Sequence, residues 1–138
     1  MDYIRQKVER IVNENMTNNP FDLAQSLGLS VYFSPFSKIK GMIISAFGRK
    51  IIIVNSLLSE EMQCFVLAHE LGHHALSPSG SGYFFIAENS LMESRIEYEA
   101  NRFAVELLAG DEEPEEGETV EQFANRLCIP SDMIRLIR

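Results

Sequence analysis

Residues 67–76, with the sequence LAHELGHHAL, contain all three histidines of the chain. His69 and His73 are four residues apart, so on a helix they lie on one face and can offer two ring nitrogens to a single zinc ion. Glu70 follows His69 directly and is placed to handle the proton of a water molecule at that ion. His74 is rotated by about 100° from His73, off the shared face, and is assigned no role. The H-E-x-x-H pattern therefore predicts a hydrolytic metal site.

A hydrolytic zinc ion needs a third protein ligand beside an open position for water. The longer pattern H-E-x-x-H-x-x-G-x-x-H is excluded, because Leu76 and Ser79 stand where its glycine and its third histidine should be. Since no histidine is left, we expect a carboxylate as the third ligand. The helix predicted over residues 91–108 is the place to look for it.

The apolar stripe of this helix favours one of its carboxylates. Residues at helical spacing define the face expected to be buried: Ile96, Ala100, Phe103, Ala104 and Leu107. Glu97 lies roughly 60° from the centre of that stripe, whereas Glu99 lies about 100° away on the opposite flank. Ala100 allows two helices to approach closely, and Asn101 can hydrogen-bond a liganding histidine. Glu97 is thus the preferred third ligand, with Glu99 and then Glu93 as alternatives.

Capping signals predict the helices that must carry these groups. Ser59, followed by two glutamates, predicts a helix over 60–76. Apolar residues at helical spacing predict a helix over 2–14, and Asn-Pro at 19–20 begins a short one that ends near Leu27. After the helix at 91–108, two short helices are predicted around VEQFANRL and SDMIRLI.

Three short runs of β-forming residues are expected to form a sheet: SVYF at 30–33, GMIIS at 41–45 and KIIIVN at 50–55. The AFGRK segment between the last two predicts a hairpin turn. An extended substrate is expected to add to an exposed strand edge supplied by this hairpin. The glycine- and serine-rich segment 77–85 is interpreted either as a lid or as a loop packed on the core.

Length and composition predict one domain over residues 1–138, because a chain with 46% hydrophobic residues can build one compact core. No apolar run approaches the roughly 20 residues of a membrane helix, and no apolar signal region follows the first charges. A cytoplasmic protein without membrane contact is expected. Cys64 and Cys128 lack C-x-x-C spacing, which favours two buried thiols over a disulfide.

The negative charge is concentrated in one segment. The formal net charge is −8, and DEEPEEGE at 111–118 contributes six carboxylates and no cation, which leaves −2 for the remainder. Such a run predicts a solvated, mobile loop over 109–118, followed by the C-terminal helical pair at 119–138. It argues against direct binding of nucleic acid, which relies on clustered lysines and arginines, but is compatible with a basic partner surface.

The segments AHELGHHAL and IEYEANRFAVELL together resemble the signature of the ImmA/IrrE-type metallopeptidase domain of bacteria and mobile elements. The order of the preceding segments and the tail FANRLCIPSDMI are also similar, so the resemblance covers nearly the whole chain. By position it implies that His69, His73 and Glu97 bind Zn²⁺ and that Glu70 is the catalytic carboxylate. From its length we expect neither the DNA-binding nor the sensor domain often fused in the family, and Leu-Leu-Ala-Gly stands where Leu-Leu-Pro often ends the ligand helix.

The resemblance implies an α+β fold: a small zincin-like domain with helices packed on a short, three-stranded, mainly antiparallel sheet. The implied function is zinc-dependent cleavage of a protein substrate, a helix-turn-helix transcriptional repressor, which would derepress a mobile element or a stress response. The alternative is a non-catalytic, zinc-stabilised binding module that acts as an anti-repressor or as a toxin-antitoxin component. Tyr83 and Tyr98 are both available to stabilise an oxyanion, and the sequence selects neither.

Overall fold

The computed structural model describes residues 2–77, 82–85 and 94–137, and it has an α+β fold. Its first half contains two helices and three strands: α1 (Tyr3–Asn15), α2 (Pro20–Ser26), β1 (Ser30–Ser34), β2 (Ile39–Ala46) and β3 (Arg49–Asn55). Its second half contains a long helix, a short strand and three further helices: α3 (Glu60–Leu76), β4 (Gly82–Phe85), α4 (Arg95–Ala109), α5 (Val120–Arg126) and a 3₁₀ helix (Ser131–Leu136).

The predicted capping residues begin the helices that carry the candidate site. The Ser59 side chain accepts a hydrogen bond from the Met62 amide at the start of α3. Ser94 does the same for the amide of Glu97, so α4 begins at Arg95; the first residues of the range predicted for it, 91–93, lie outside the described residues. The cap therefore places Glu97 in the first turn of α4, where the helix dipole favours a carboxylate.

The sheet has four strands in the order β1-β3-β2-β4, so the prediction of three strands is wrong in number. It is mixed but mainly antiparallel: β1 pairs with β3 in parallel, and β2 is antiparallel to both β3 and β4. The fourth strand, Gly82–Phe85, comes from the segment interpreted as a lid or loop. Four residues are too few to show a β periodicity, and the strand forms through backbone pairing with β2. The aromatic side chains of that segment lie outside the described part of the chain.

The position of the hairpin also differs from the expectation. Among the described strands, β2 and β3 both lie inside the sheet, and the edges are β1 and β4. The hairpin therefore offers no free edge for an extended substrate, because its backbone groups already pair with neighbouring strands. An added strand would have to pair with β1 or β4.

Helix α3 forms the centre of the core, between the sheet on one side and α4 on the other. Asn55, at the end of β3, is a fully buried polar residue: it accepts hydrogen bonds from the amides of Phe36 and Leu57, and donates to the carbonyls of Phe36 and Ile39. It thus holds the loop between β1 and β2 against the start of β2, the strand that passes over α3. Cys64 and Cys128 are free thiols, half-buried rather than fully buried.

The C-terminal pair consists of α5 and a 3₁₀ helix, whereas two helices of unspecified type were predicted. The carboxylates of the acidic loop are mostly exposed, as expected for a solvated segment. However, the guanidinium of Arg126 donates to both oxygens of Glu118, with distances of 2.9 Å each, so the end of the loop is fixed to α5. In the described part of the chain, no helix has the length and apolarity to cross a membrane.

Candidate metal centre

Helix α3 carries three of the four predicted site residues into the core. His69 and Glu70 are fully buried, and His73 is 7% exposed. One ligand atom from each of these three side chains lies within 4.8 Å of the others. Polar side chains at such depth require partners, because burial without them costs several kcal/mol.

Glu97, the fourth predicted site residue, lies near the histidines because α3 and α4 pack closely. A β-carbon on Gly72 would lie 3.0 Å from the carbonyl oxygen of Ala100 and 3.1 Å from Cβ of Phe103. Ala100 is fully buried at this contact, as its small side chain predicts. The absence of side-chain bulk on both helices therefore brings the first turn of α4, with Glu97, over the histidines of α3.

The three predicted ligands converge. The carboxylate of Glu97 has Oε2 at 3.0 Å from Nε2 of His69 and Oε1 at 3.0 Å from Nε2 of His73. The two Nε2 atoms are 3.1 Å apart. The Glu97 side chain is 21% exposed, so the cluster is reached from solvent on the α4 side.

Asn101 orients His69 as the sequence predicts. Its Oδ1 lies 2.7 Å from Nδ1 of His69, and because an amide oxygen only accepts, Nδ1 carries the proton. Burial is the largest influence on the pKa of His69: it lowers this pKa and favours the neutral ring. With the proton on Nδ1, Nε2 carries a lone pair. That lone pair faces His73 and Glu97, as a metal ligand requires.

Glu70 is a buried carboxylate without a hydrogen-bond donor. Neither of its oxygens has a hydrogen-bond partner among the described residues, and Oε1 lies 3.9 Å from Nε2 of His69. Burial and then the charge of Glu97 raise its pKa well above the usual range. Gly41 of β2 packs close by: a β-carbon there would lie 2.6 Å from Cγ1 of Val66 and 3.9 Å from Cγ of Glu70.

The arrangement fits a tetrahedrally coordinated divalent cation. Zinc with nitrogen and oxygen ligands at ~2.0–2.2 Å holds adjacent ligand atoms ~3.3–3.6 Å apart, a few tenths of an ångström more than the 3.0–3.1 Å among these three groups. A carboxylate and two imidazoles that converge within 3.1 Å form a donor set suited to zinc.

The remaining candidates lie apart from this point. Glu99 faces outward and pairs with Arg95 at 3.8 Å, and Glu93 is outside the described residues. His74 is half-buried, and its Nδ1 has no hydrogen-bond partner among the described residues; burial and then nearby Lys50 lower its pKa.

The predicted apolar stripe of α4 is buried except at Ile96, its first residue. Ala100, Phe103, Ala104 and Leu107 are buried, but Ile96 is 57% exposed. Ile96 lies in the first turn next to Glu97, and it is exposed although this turn reaches the histidines of α3. Periodicity along a helix identifies a face but not which of its residues the partner helix covers.

The sequence analysis missed the two glycines that surround the site. A glycine inside a helix costs about 1 kcal/mol relative to alanine, so Gly72 within α3 was a readable signal of close packing. Gly41 in β2 had the same kind of signal, because glycine weakens a strand and often marks a close backbone approach.

The sequence is similar to a family model and to known proteins. The model of a peptidase family, Peptidase_M78, described as the IrrE N-terminal-like domain, matches residues 24–138. "Uncharacterized immunity region protein 2" of Bacillus phage phi105 is 34% identical over 109 residues, covering 78% of this chain and 69% of that protein. "Metallopeptidase ImmA" of Bacillus subtilis strain 168 is 25% identical over 136 residues, covering 93% of this chain and 79% of that protein. The matched regions include both helices that carry the convergent side chains.

Proposed function

Because this chain belongs to the Peptidase_M78 family of IrrE N-terminal-like domains, we propose that it is a zinc-dependent endopeptidase that cleaves a helix-turn-helix repressor. The observation that carries the proposal is the convergence of His69, His73 and Glu97 within 3.1 Å, beside the unpartnered carboxylate of Glu70. A purely structural cluster would be expected to satisfy its buried polar atoms from within the protein.

In this proposal His69, His73 and Glu97 hold the zinc ion, and Asn101 fixes the ring of His69. A bound zinc ion supplies Lewis acidity, which makes water a better nucleophile at neutral pH and polarises a carbonyl group. The three ligands leave a position open for water, as in hydrolytic zinc sites.

Glu70 is proposed as the general base and then the general acid. Its carboxylate lies in the core with no hydrogen-bond donor among the described residues, so its lone pairs are available to accept a proton from the attacking water. It would then deliver that proton to the leaving amine. Burial and then the charge of Glu97 raise its pKa, which makes the ionised carboxylate a stronger base and helps it to hold the proton between these two steps.

The position of β4 suggests how a peptide would be held. Gly41 of β2 lies against Glu70 and is paired with Phe84 of β4, an edge strand among the described residues. An extended peptide that pairs with β4 would therefore run past the proposed catalytic centre. A substrate bound this way must be locally unfolded at the scissile bond.

The names of the two relatives support the substrate class. One is named an immunity region protein of a phage and the other a metallopeptidase, which supports a protease that acts on a protein of phage immunity; a repressor is the substrate we propose. A repressor substrate implies that the chain acts in the cytoplasm, where the repressor binds its operators.

The test is cleavage of the repressor encoded beside this chain, in the presence of zinc. Wild-type protein should cut it, whereas Glu70→Gln should be slower by a factor of about 10²–10⁴, the usual contribution of a general base, with unchanged zinc content. Glu61→Gln, an exposed glutamate in the first turn of α3, is the matched control and should cut normally. An intact repressor, or equal cleavage by Glu70→Gln, would rule the mechanism out. If Glu70→Gln still relieves repression fully, the chain is a binding module instead.

A further inference from the structure

Two adjoining cavities form a groove along the C-terminal half of α4, remote from the candidate metal centre. Each has a volume of about 460 Å³, and they share Arg5, Glu106, Gly110 and Asp111. One extends along α1 to Met16, and the other extends towards the acidic loop and the end of the 3₁₀ helix. We call this continuous surface the acidic groove. At 1.5 Å per residue, its part at Leu107 lies ~15 Å along α4 from Glu97.

The charges along the acidic groove are strongly unbalanced. One cation, Arg5, faces five carboxylates: Glu9, Glu106, Asp111, Glu112 and Glu113. Three of these carboxylates are in ion pairs: Glu9 with Arg5, Glu106 with Arg102, and Glu112 with Arg126.

Asp111 and Glu113 are exposed, and their side chains form no ion pair among the described residues. The rim of the groove therefore presents negative charge that the protein does not neutralise. Such a rim attracts cations and repels the phosphates of nucleic acids and anionic lipids.

Apolar side chains form part of the lining of the acidic groove, beside polar ones such as Asn13 and Thr17. Val12 is half-buried at one end, and Leu136 and Ile137 are half-buried at the other. Met16, at the end of α1, is 86% exposed at the mouth, and methionine adapts to varied apolar partners. These apolar contacts between acidic rims match a helix with one apolar face and flanking lysines or arginines.

We propose that the acidic groove is a docking site for a basic amphipathic helix of the protein substrate. This substrate class rests on the protease function proposed above, in which the cleaved segment is extended while a second part of the same protein remains folded. The folded helix would bind ~15 Å along α4 from Glu97. Its binding would raise the local concentration of the extended segment at β4. The complementary rim charges would mainly speed association and select against acidic proteins.

The test measures binding on the Glu70→Gln chain, so that it does not depend on catalysis. The probe is a fluorescent peptide of about 14 residues, lysine and leucine only, with the leucines at helical spacing. A peptide of the same composition with the leucines scattered, and one with glutamate in place of lysine, are the controls. Anisotropy titrations at two salt concentrations give the affinity and its charge dependence.

Two triple variants with the same net charge distinguish binding in the groove from general electrostatic attraction to the chain. Asp111→Asn/Glu112→Gln/Glu113→Gln should weaken binding about fivefold or more, since it removes rim charges at the contact. Glu14→Gln/Glu60→Gln/Glu121→Gln neutralises three exposed carboxylates outside the groove and should stay within about twofold of the parent. Met16→Gln should also weaken binding, while leaving all charges in place.

Several results would overturn the proposal: equal weakening by both triple variants, equal binding of the scattered peptide, or no binding at all. These results leave cleavage by Glu70 untouched. Conversely, if the groove binds the peptide but the wild-type chain cleaves no repressor, only the assignment of the bound helix to a substrate of cleavage is refuted.

Discussion

Gly72 of α3 and Ala100 of α4 lie so close together that a β-carbon on Gly72 would be 3.0 Å from the Ala100 carbonyl oxygen. The oxygen belongs to the backbone, so it cannot move aside as a flexible side chain would. The two helices can therefore approach this closely only because position 72 has no side chain. The distance from Glu97 to the histidines depends on the same close approach.

Gly72→Ala should separate the helices and weaken zinc binding. Alanine gains up to about 1 kcal/mol in helix propensity, but forcing extra volume into a packed core costs about 1–3 kcal/mol, so we expect a net loss of stability. Zinc affinity, measured by competition with a chromophoric chelator, should fall by at least about tenfold, because a shift of a few tenths of an ångström strains the ligand set.

Gly48→Ala is the matched control for this variant. Gly48 has φ +75° and open space around its α-carbon, so alanine there strains the backbone by about 1–2 kcal/mol without touching either helix. It should lower stability and leave zinc affinity unchanged. Undiminished zinc affinity in Gly72→Ala would show that the helix separation does not control the site.

Glu97→Ala should lose most of its zinc, whereas Glu99→Ala should retain it. Glu97 is the carboxylate that contacts both histidines, and its loss leaves two protein ligands, too few for a stable hydrolytic site. Among the described residues, Glu99 pairs with exposed Arg95, an interaction worth about 0–1 kcal/mol. Metal content after dialysis, measured by atomic emission, distinguishes the two. Full zinc occupancy in Glu97→Ala would return Glu99 and Glu93 to consideration.

Asn101→Leu should weaken zinc binding by about 10–100-fold, because His69 loses the acceptor that keeps its proton on Nδ1. Asn101→Asp retains an acceptor oxygen and should restore much of the affinity. A merely structural role for Asn101 predicts a different result: both variants would be destabilised, and the aspartate would not rescue zinc binding selectively. Chelator competition and thermal unfolding, measured on the same samples, separate these outcomes.

The parts of the site that sequence could predict are those encoded locally. The spacing of His69 and His73 fixes their common face, and the apolar stripe of α4 places Glu97 nearer that face than Glu99. The structure brings these three side chains together, while their roles as ligands stay predictions. Asn101 could be inferred in the same way, because it lies one turn beyond Glu97.

The parts that could not be predicted depend on distant partners. Strand β4 exists through pairing with β2, and the same pairing puts the 41–55 hairpin inside the sheet. Asn55 gives no local sign that it is fully buried, because its partners belong to the β1–β2 loop and the start of β2. Ile96 fits the helical stripe but is exposed. Periodicity alone does not reveal which residues of a stripe the neighbouring helix covers.

The acidic loop offers a prediction with a defined pH dependence. Hydrogen bonds from the Arg126 side chain, then from the Glu115 amide, lower the pKa of Glu118 to about 2 in the folded chain, against ~4.3 when unfolded. A lowered folded-state pKa contributes stability above the unfolded value, and this contribution is lost as the pH falls through about 2. Wild type should therefore exceed Glu118→Gln in unfolding free energy at pH 7, and this excess should shrink steadily below about pH 5. Urea denaturation at several pH values measures it, with Glu116→Gln as a control that removes the same charge from an exposed neighbour. An excess that stays constant on acidification would mean that the contact of Glu118 with Arg126 does not fix the loop in solution.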